Sequence, residues 1–140
     1  GERYIELVSS SLLDDGSAEP LKMVGRNLGG ADFFYNAISG TGQRGVPGGS
    51  GLNNIGLLVG AWGRVTHAGS GFFYLDDGSG LADGSGHAGV RVILHSGSIP
   101  LAGDYVSLSG ASILDASSTG PVIWVEHDGD IQQEEILMAF

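Results

Sequence analysis

Five short stretches in the second half of the chain alternate apolar and polar residues, and they constrain the fold more than any other feature. They are residues 55–67, 72–76, 89–95, 104–110 and 121–126. Alternation with a period of two predicts β-strands that bury one face. Glycine-rich turns separate the stretches. Gly60 and Gly63 interrupt the first and longest, which is typical of a strand that bends between two sheets.

Five short strands, the first of them long and bent, predict an all-β fold: a small five-stranded antiparallel barrel of the OB kind. The alternation places eleven side chains in its core: Leu57, Val59, Val65, Phe73, Leu75, Val90, Val92, Val106, Leu108, Ile123 and Val125. A globule of 140 residues buries about 68–70% of its unfolded surface. The barrel therefore needs no disulfide, and the chain contains no cysteine.

Several stretches resemble an OB-fold module that recurs in large secreted or surface proteins of environmental bacteria. The resemblance covers about residues 51–132, and its most specific parts are "YLDDGSG" from Tyr74, "GDYVSLSG" from Gly103 and "DGDIQ" from Asp128. It implies the OB fold and an extracellular or cell-surface location. It implies no catalytic role, because fold does not define function.

The predicted barrel divides the chain into an N-terminal extension (residues 1–50), the barrel (51–132) and an apolar C-terminal tail (133–140). The extension contains two strand candidates, "RYIELVSS" at residues 3–10 and "PLKMV" at residues 20–24, which resemble the closing strands of a preceding module. Residues 25–51 are interpreted as a glycine-rich linker that carries three aromatic residues. Because an isolated hairpin is marginal in water, we expect the strands to need a partner surface on this barrel or on another copy.

Both ends of the chain carry apolar side chains that favour contact with another subunit. The candidate contact residues are Tyr4, Ile5, Leu7, Val8, Ile136, Leu137, Met138 and Phe140. An unpaired strand is a template for pairing with another chain, and burying one large apolar side chain gains about 1.5–3 kcal/mol. The tail is expected to pack either on its own barrel or on a neighbour, and the strand at residues 3–10 is the stronger candidate for the contact.

The second predicted barrel strand carries aromatic residues on both faces, which raises the possibility of a ligand face. In OB folds the outward faces of strands two and three bind ligands. Phe72 and Tyr74 on strand two, with Arg91 and His95 on strand three, match a platform on which a base or a sugar stacks. The platform lacks the basic groove of nucleic-acid binders. The preferred interpretation is therefore a face covered by the N-terminal extension or by a neighbouring copy.

The acidic turn "DDGSGLADGSG" is a weak calcium candidate through Asp76, Asp77 and Asp83, because calcium prefers several oxygen ligands. The spacing does not match an EF-hand, and turns closed by Asx hydrogen bonds are the simpler interpretation. The histidines form no HxH or HExxH pair, and no G-x-S-x-G stretch is present. We therefore expect no enzyme activity and no cofactor apart from that calcium candidate.

The charge is strongly acidic, with 16 Asp and Glu against 6 Lys and Arg. A net charge of −10 repels phosphate backbones and anionic membranes, and no stretch is long and apolar enough for a membrane span. We expect a structural, self-associating extracellular module, a filament or repeat-array subunit that exchanges strands or tails with copies of itself. The alternative is a non-catalytic module that binds an oligosaccharide or, less favoured, single-stranded nucleic acid.

Overall fold

The five predicted strands form a closed barrel. The computed structural model describes residues 8–11, 16–116 and 119–134. The barrel strands are β4 (Leu58–Ala68), β5 (Phe72–Asp76), β6 (Val90–Ser96), β7 (Tyr105–Ile113) and β8 (Val122–His127). Outside them lie β1 (Leu21–Lys22), β2 (Phe33–Asn36), β3 (Thr41–Gln43), β9 (Ile131–Gln133), and 3₁₀ turns at Gly25–Asn27 and Asp128–Asp130.

The barrel closes in the order β4-β5-β6-β8-β7 and returns to β4. The pair β6–β8 is parallel, and the other four pairs are antiparallel. β1 pairs in parallel with the start of β4, and β9 pairs with the start of β7. This confirms the predicted all-β class and the OB-like barrel.

β4 is long because it pairs with two different strands of the barrel. Residues 58–64 pair with β7, residues 64–68 pair with β5, and the register shifts between Val65 and His67. Gly63 lies where β5 comes closest, since a Cβ there would lie 2.4 Å from the Asp76 carbonyl oxygen. Glycine at this position therefore allows the backbone of β5 to approach β4 closely.

The core is that of the predicted barrel, with one error. Ten of the eleven predicted side chains are buried, but Leu57 is 48% exposed. Leu57 precedes β4 and lies in a turn, where its N–H donates to the Asn54 carbonyl, so strand alternation does not apply to it. Leu28, Ala61 and Leu94 also belong to the buried cluster.

The interpretation of residues 25–51 as a linker is wrong, because this segment packs on the barrel. Leu28 is 1% exposed within the barrel core, and Val46 is 9% exposed. The candidate strand at residues 20–24 contributes β1, whose partner is this barrel. Of the strand predicted at residues 3–10 the structure describes residues 8–10, where Val8 is exposed, and of the apolar tail it describes residues 133 and 134; the other candidate contact residues, Tyr4, Ile5, Leu7, Ile136, Leu137, Met138 and Phe140, lie outside the described residues.

Candidate functional site

Three of the four residues predicted for the ligand face lie together in the structure. Phe72 on β5 lies under the Arg91 guanidinium, with Cζ 4.7 Å from the ring centroid. Tyr74 lies opposite Arg91 across the β5–β6 pair, and its ring is 6.2 Å from that of Phe72 in an edge-on arrangement. His95 lies further along β6, where it packs 5.5 Å from the Trp124 ring of β8.

This aromatic face is covered by the chain itself. Tyr74 is only 4% exposed, which agrees with the preferred interpretation of a covered face, but the cover is neither the N-terminal extension nor another copy. The stacked rings of His67 and His87 lie over it, with their centroids 3.9 Å apart, and the Tyr74 hydroxyl donates to Asp83 at 2.8 Å. Burial raises the pKa of Tyr74, an effect that a hydrogen bond with Ser85 opposes and Asp83 reinforces. The cover comes from β4 and the β5–β6 loop.

Arg91 completes the cover and has its own partner. Its Nη1 lies 3.2 Å from the Asp115 carboxylate, so the guanidinium bridges an acidic group and the Phe72 ring. A cation held over an aromatic face contributes about 0.5–2 kcal/mol. The Phe72 ring is therefore half-buried beneath a side chain of its own barrel.

The acidic turn forms separate Asx turns. The Asp76 carboxylate accepts the Gly78 N–H at 3.0 Å, and Asp83 accepts the Ser85 N–H at 2.9 Å. Asp76, Asp77 and Asp83 were the calcium candidates. In the part of the chain that the structure describes, no group of three or more Asp, Glu or His side chains is placed to hold a metal ion.

Asp77 joins the turn to the N-terminal segment. Its carboxylate accepts the Gly25 N–H at 2.6 Å and the Ser79 N–H at 2.9 Å. Burial acts to raise its pKa, but hydrogen bonds from the Ser79 side chain and the two backbone N–H groups outweigh burial, and the pKa is lowered. The charged form therefore fastens residues 25–27 to the β5–β6 loop.

A groove with a volume of about 870 Å³ lies on the outer side of β1, β4, β7 and β9. We call it the Trp62 groove; its lining includes Lys22, Val24, Trp62, Ser107, Gln132 and Glu134. Trp62 is 62% exposed and lies opposite Ser107 in the β4–β7 register. An accessible indole beside small side chains makes this groove suited to an apolar partner.

A second exposed surface is the β2–β3 hairpin, residues 33–43. Phe33 is 58% exposed, Phe34 84% and Ile38 99%. The two phenylalanine rings meet edge-on with centroids 4.9 Å apart. The hairpin thus holds a pair of aromatic rings in water.

The base of the hairpin is fixed by hydrogen bonds. The Val46 N–H donates to the Gly30 carbonyl at 3.1 Å, and the Gly45 N–H donates to the Asp32 carboxylate at 2.8 Å. Asn53 donates through Nδ2 to the Ala31 carbonyl at 2.8 Å. These bonds hold the two ends of the hairpin together.

Asn54 connects this base to the barrel. It is 5% exposed, and its Oδ1 accepts the Gly29 N–H at 2.7 Å and the Ser112 hydroxyl at 3.0 Å. Its Nδ2 donates to the Asn27 carbonyl at 2.7 Å. One amide side chain therefore links β7 to the N-terminal segment.

Sequence reasoning missed the Trp62 groove, the hairpin and Asn54. The groove depends on β1 and β9, which pair with β4 and β7 at positions far apart in sequence, so no local pattern around Trp62 indicates it. The aromatic triplet at residues 33–35 was the available signal for the hairpin. Asn54 follows Asn53 in a polar loop and carries no pattern that marks it as buried.

The fold and these surfaces define an OB-like barrel protein that carries an exposed aromatic hairpin. No family model matches the chain, and no curated protein matches it. Over the described ranges, no helix has the length and apolar character to cross a membrane.

Proposed function

We propose that this protein is a structural module that assembles with copies of itself into an array or filament outside the cell. The observation that carries the proposal is the pair of aromatic rings on the β2–β3 hairpin, which the fold holds in water. Contiguous exposed apolar patches on soluble proteins are often sites of contact with a partner.

The charge distribution supports assembly through this hairpin. The chain carries a net charge of −10, yet residues 33–43 contain no charged residue. Copies that approach through an uncharged surface avoid placing like charges in contact. The hairpin is therefore a favourable place for two copies of an acidic chain to meet.

The positions of β1 and β9 also support the proposal. Lys22 of β1 and Gln132 of β9 both line the Trp62 groove, as does Glu134. The predicted contact residues Ile136–Phe140 follow Glu134 within two positions in the sequence. In the sequence, the apolar residues of the tail therefore begin two positions after a residue of the groove, which suits exchange between copies.

The covered aromatic face supports assembly over the oligosaccharide alternative. Sugars stack on accessible rings, whereas at the predicted ligand face Tyr74 is buried and Phe72 lies beneath Arg91, so that face does not support sugar binding. The extracellular location in this proposal rests on the resemblance of residues 51–132 to modules of secreted proteins.

Sedimentation velocity over a wide concentration series, with electron microscopy of the concentrated sample, tests the proposal. We expect the weight-average sedimentation coefficient to rise with concentration. A chain that remains monomeric throughout would overturn the proposal.

Deletion of residues 1–10 or of residues 136–140 tests strand and tail exchange. Either truncated chain should keep the near-UV spectrum of a folded barrel, and we expect deletion of residues 1–10 to weaken association more. If both truncated chains assemble as well as the full chain, exchange through the termini is wrong.

A further inference from the structure

We infer that the β2–β3 hairpin of one copy inserts into the Trp62 groove of the next, so that the copies join head to tail. This inference rests on the proposed function, because it identifies the two surfaces through which the chain would associate with itself. Each surface belongs to the described structure, and each presents aromatic area to water.

The backbone of Phe34 is the first argument. Among the described residues, it alone combines a side chain with a positive φ, 50°, a region that disfavours bulky residues. Its ring is 84% exposed, so packing within the chain offsets little of this strain. Backbone strain that no contact within the chain offsets points to a function for the strained residue.

The strain has an identifiable structural result. Consecutive strand residues normally point to opposite faces, yet the Phe33 and Phe34 rings touch at 4.9 Å. The register between β2 and β3 shifts between Phe33 and Asn36, as at a β-bulge. The bulge therefore gathers two rings into one knob.

The knob is held in place before any partner arrives. A Cβ on Gly42 would lie 2.1 Å from the Phe34 carbonyl oxygen, so glycine is required opposite the bulge. At the turn, the Asn36 carboxamide oxygen accepts the N–H groups of Ile38 and Ser39 at 2.9 and 3.1 Å. A preformed knob loses less conformational entropy on binding.

The Trp62 groove has the shape to receive such a knob. Its volume of about 870 Å³ lies within the range of about 300–1,000 Å³ typical of binding clefts. Gly60 and Trp62 of β4 lie opposite Ser109 and Ser107 of β7. Three of these four positions are small, but the Lys22 and Pro20 side chains lie over Gly60 and Ser107 donates to Glu134. An incoming phenylalanine would therefore pack edge-on against the exposed indole itself.

The exposed area and the charges fit a contact of moderate strength. At about 200 Å² for each phenylalanine side chain, the exposed fractions of 58% and 84% give on the order of 280 Å². A standard interface needs about 800 Å² from each partner, so the rest of the hairpin must contribute. Asp32 and Arg44 flank the hairpin, and Lys22, Asp130 and Glu134 line the groove, so both surfaces are bordered by charges of both signs.

A hairpin-to-groove contact is heterologous, so every added copy presents a free hairpin at one end and a free groove at the other. Such a contact produces an open filament unless the rotation between copies closes a ring. Complementation between two variants tests this arrangement. Phe34→Glu disables the hairpin and leaves the groove intact, whereas Trp62→Glu disables the groove and leaves the hairpin intact.

Each variant alone should associate at least about tenfold more weakly than the parent chain. An equimolar mixture should form 1:1 dimers and nothing larger, because only one productive contact remains. Leu101→Glu is the matched control. Leu101 is 73% exposed and lies in neither surface, so this variant should assemble like the parent. Circular dichroism checks the fold of all three variants.

Phe34→Gly separates a binding role from a structural one. Glycine accepts a positive φ without strain, so this variant should unfold at an equal or higher urea concentration and yet lose association. A Phe34→Gly chain that associates like the parent would overturn the inference.

The remaining outcomes also discriminate. If the parent chain stays monomeric, the proposed function fails. If the parent associates and the Phe34→Glu chain associates equally well, self-association stands and the hairpin inference fails. Loss of association on deleting residues 136–140, with none in the Phe34 variants, would identify the tail as the occupant of the groove.

Discussion

Replacing Asn54 with alanine should destabilise the protein more than its position in a polar loop suggests. The substitution removes the acceptor of the Gly29 N–H and of the Ser112 hydroxyl. Gly29 is buried and Ser112 is 0% exposed, so water cannot replace the lost partner without a rearrangement.

The expected magnitude follows from these two groups. A buried donor left without a partner costs about 1–3 kcal/mol, so two of them predict a loss of about 2–6 kcal/mol in the free energy of unfolding. The Asn27 carbonyl also loses its donor, but Asn27 is exposed and water can satisfy it. The loss is a large fraction of the 5–15 kcal/mol that is usual for a domain.

Urea denaturation followed by far-UV circular dichroism measures this loss. Asn53→Ala is the matched control, because the neighbouring amide makes two hydrogen bonds but is only part-buried. It should cost about 1 kcal/mol. Adding Ser112→Ala to the Asn54→Ala chain should cost little, because the hydroxyl is then already without its acceptor.

Two results would refute this reasoning. An Asn54→Ala chain within about 1 kcal/mol of the parent would mean that the buried network contributes little. Fully additive losses in the Asn54→Ala, Ser112→Ala double variant would show that the two side chains are not coupled.

Four other perturbations have definite expected outcomes. Val92 is 0% exposed, so Val92→Asp should abolish folding; a soluble, cooperatively melting variant would contradict the core assignment. Because the pKa of Asp77 is lowered on folding, the charged carboxylate stabilises the protein above its ordinary pKa of 3.8, and that stability is lost as pH falls through the lower folded value. Asp77→Asn should therefore reduce the difference in urea midpoint between pH 7 and acid; an unchanged difference would exclude Asp77 as its source. Added salt should strengthen self-association, because it screens repulsion between copies of charge −10. A weight-average sedimentation coefficient that falls at high salt would indicate that attraction between charges dominates the contact. Single-stranded DNA should bind weakly at physiological salt, and a tight, salt-sensitive complex in a fluorescence anisotropy titration would contradict this.

The barrel was predictable because its strands are half-buried. Alternation with a period of two records which side chains face the core, and this identified Phe73, Val92 and Ile123 correctly. The same rule failed at Leu57, which lies one residue before β4 begins. Local periodicity thus finds strands well but not the residues at their ends.

The packing of residues 25–51 has no periodic signal. A Cβ on Gly30 would lie 2.1 Å from the Leu52 carbonyl oxygen, and one on Gly45 would lie 2.4 Å from the Gly30 carbonyl oxygen. These glycines allow loop segments of the backbone to approach each other closely, yet in sequence they resemble the glycines of a flexible linker. Asn54 then satisfies the backbone of this segment over a long sequence separation.

The covered aromatic face shows a different limit of sequence reasoning. Alternation placed Phe72 and Tyr74 on the face opposite the core, but it could not show what lies over that face. The cover comes from His67 and His87, which are 20 positions apart in the sequence and stack at 3.9 Å. Side chains that meet only through the fold leave no local pattern.

Quenching of Trp62 fluorescence by acrylamide tests the central claim most directly. In a Trp124→Phe chain, Trp62 is the sole tryptophan, because the sequence has two, and excitation at the red edge of the absorption band avoids the tyrosines. Its indole is 62% exposed in the single chain. If copies join through the Trp62 groove, the quenching constant should fall and the emission should shift to the blue as protein concentration rises. Unchanged quenching across a concentration range in which sedimentation shows assembly would contradict a contact at this groove.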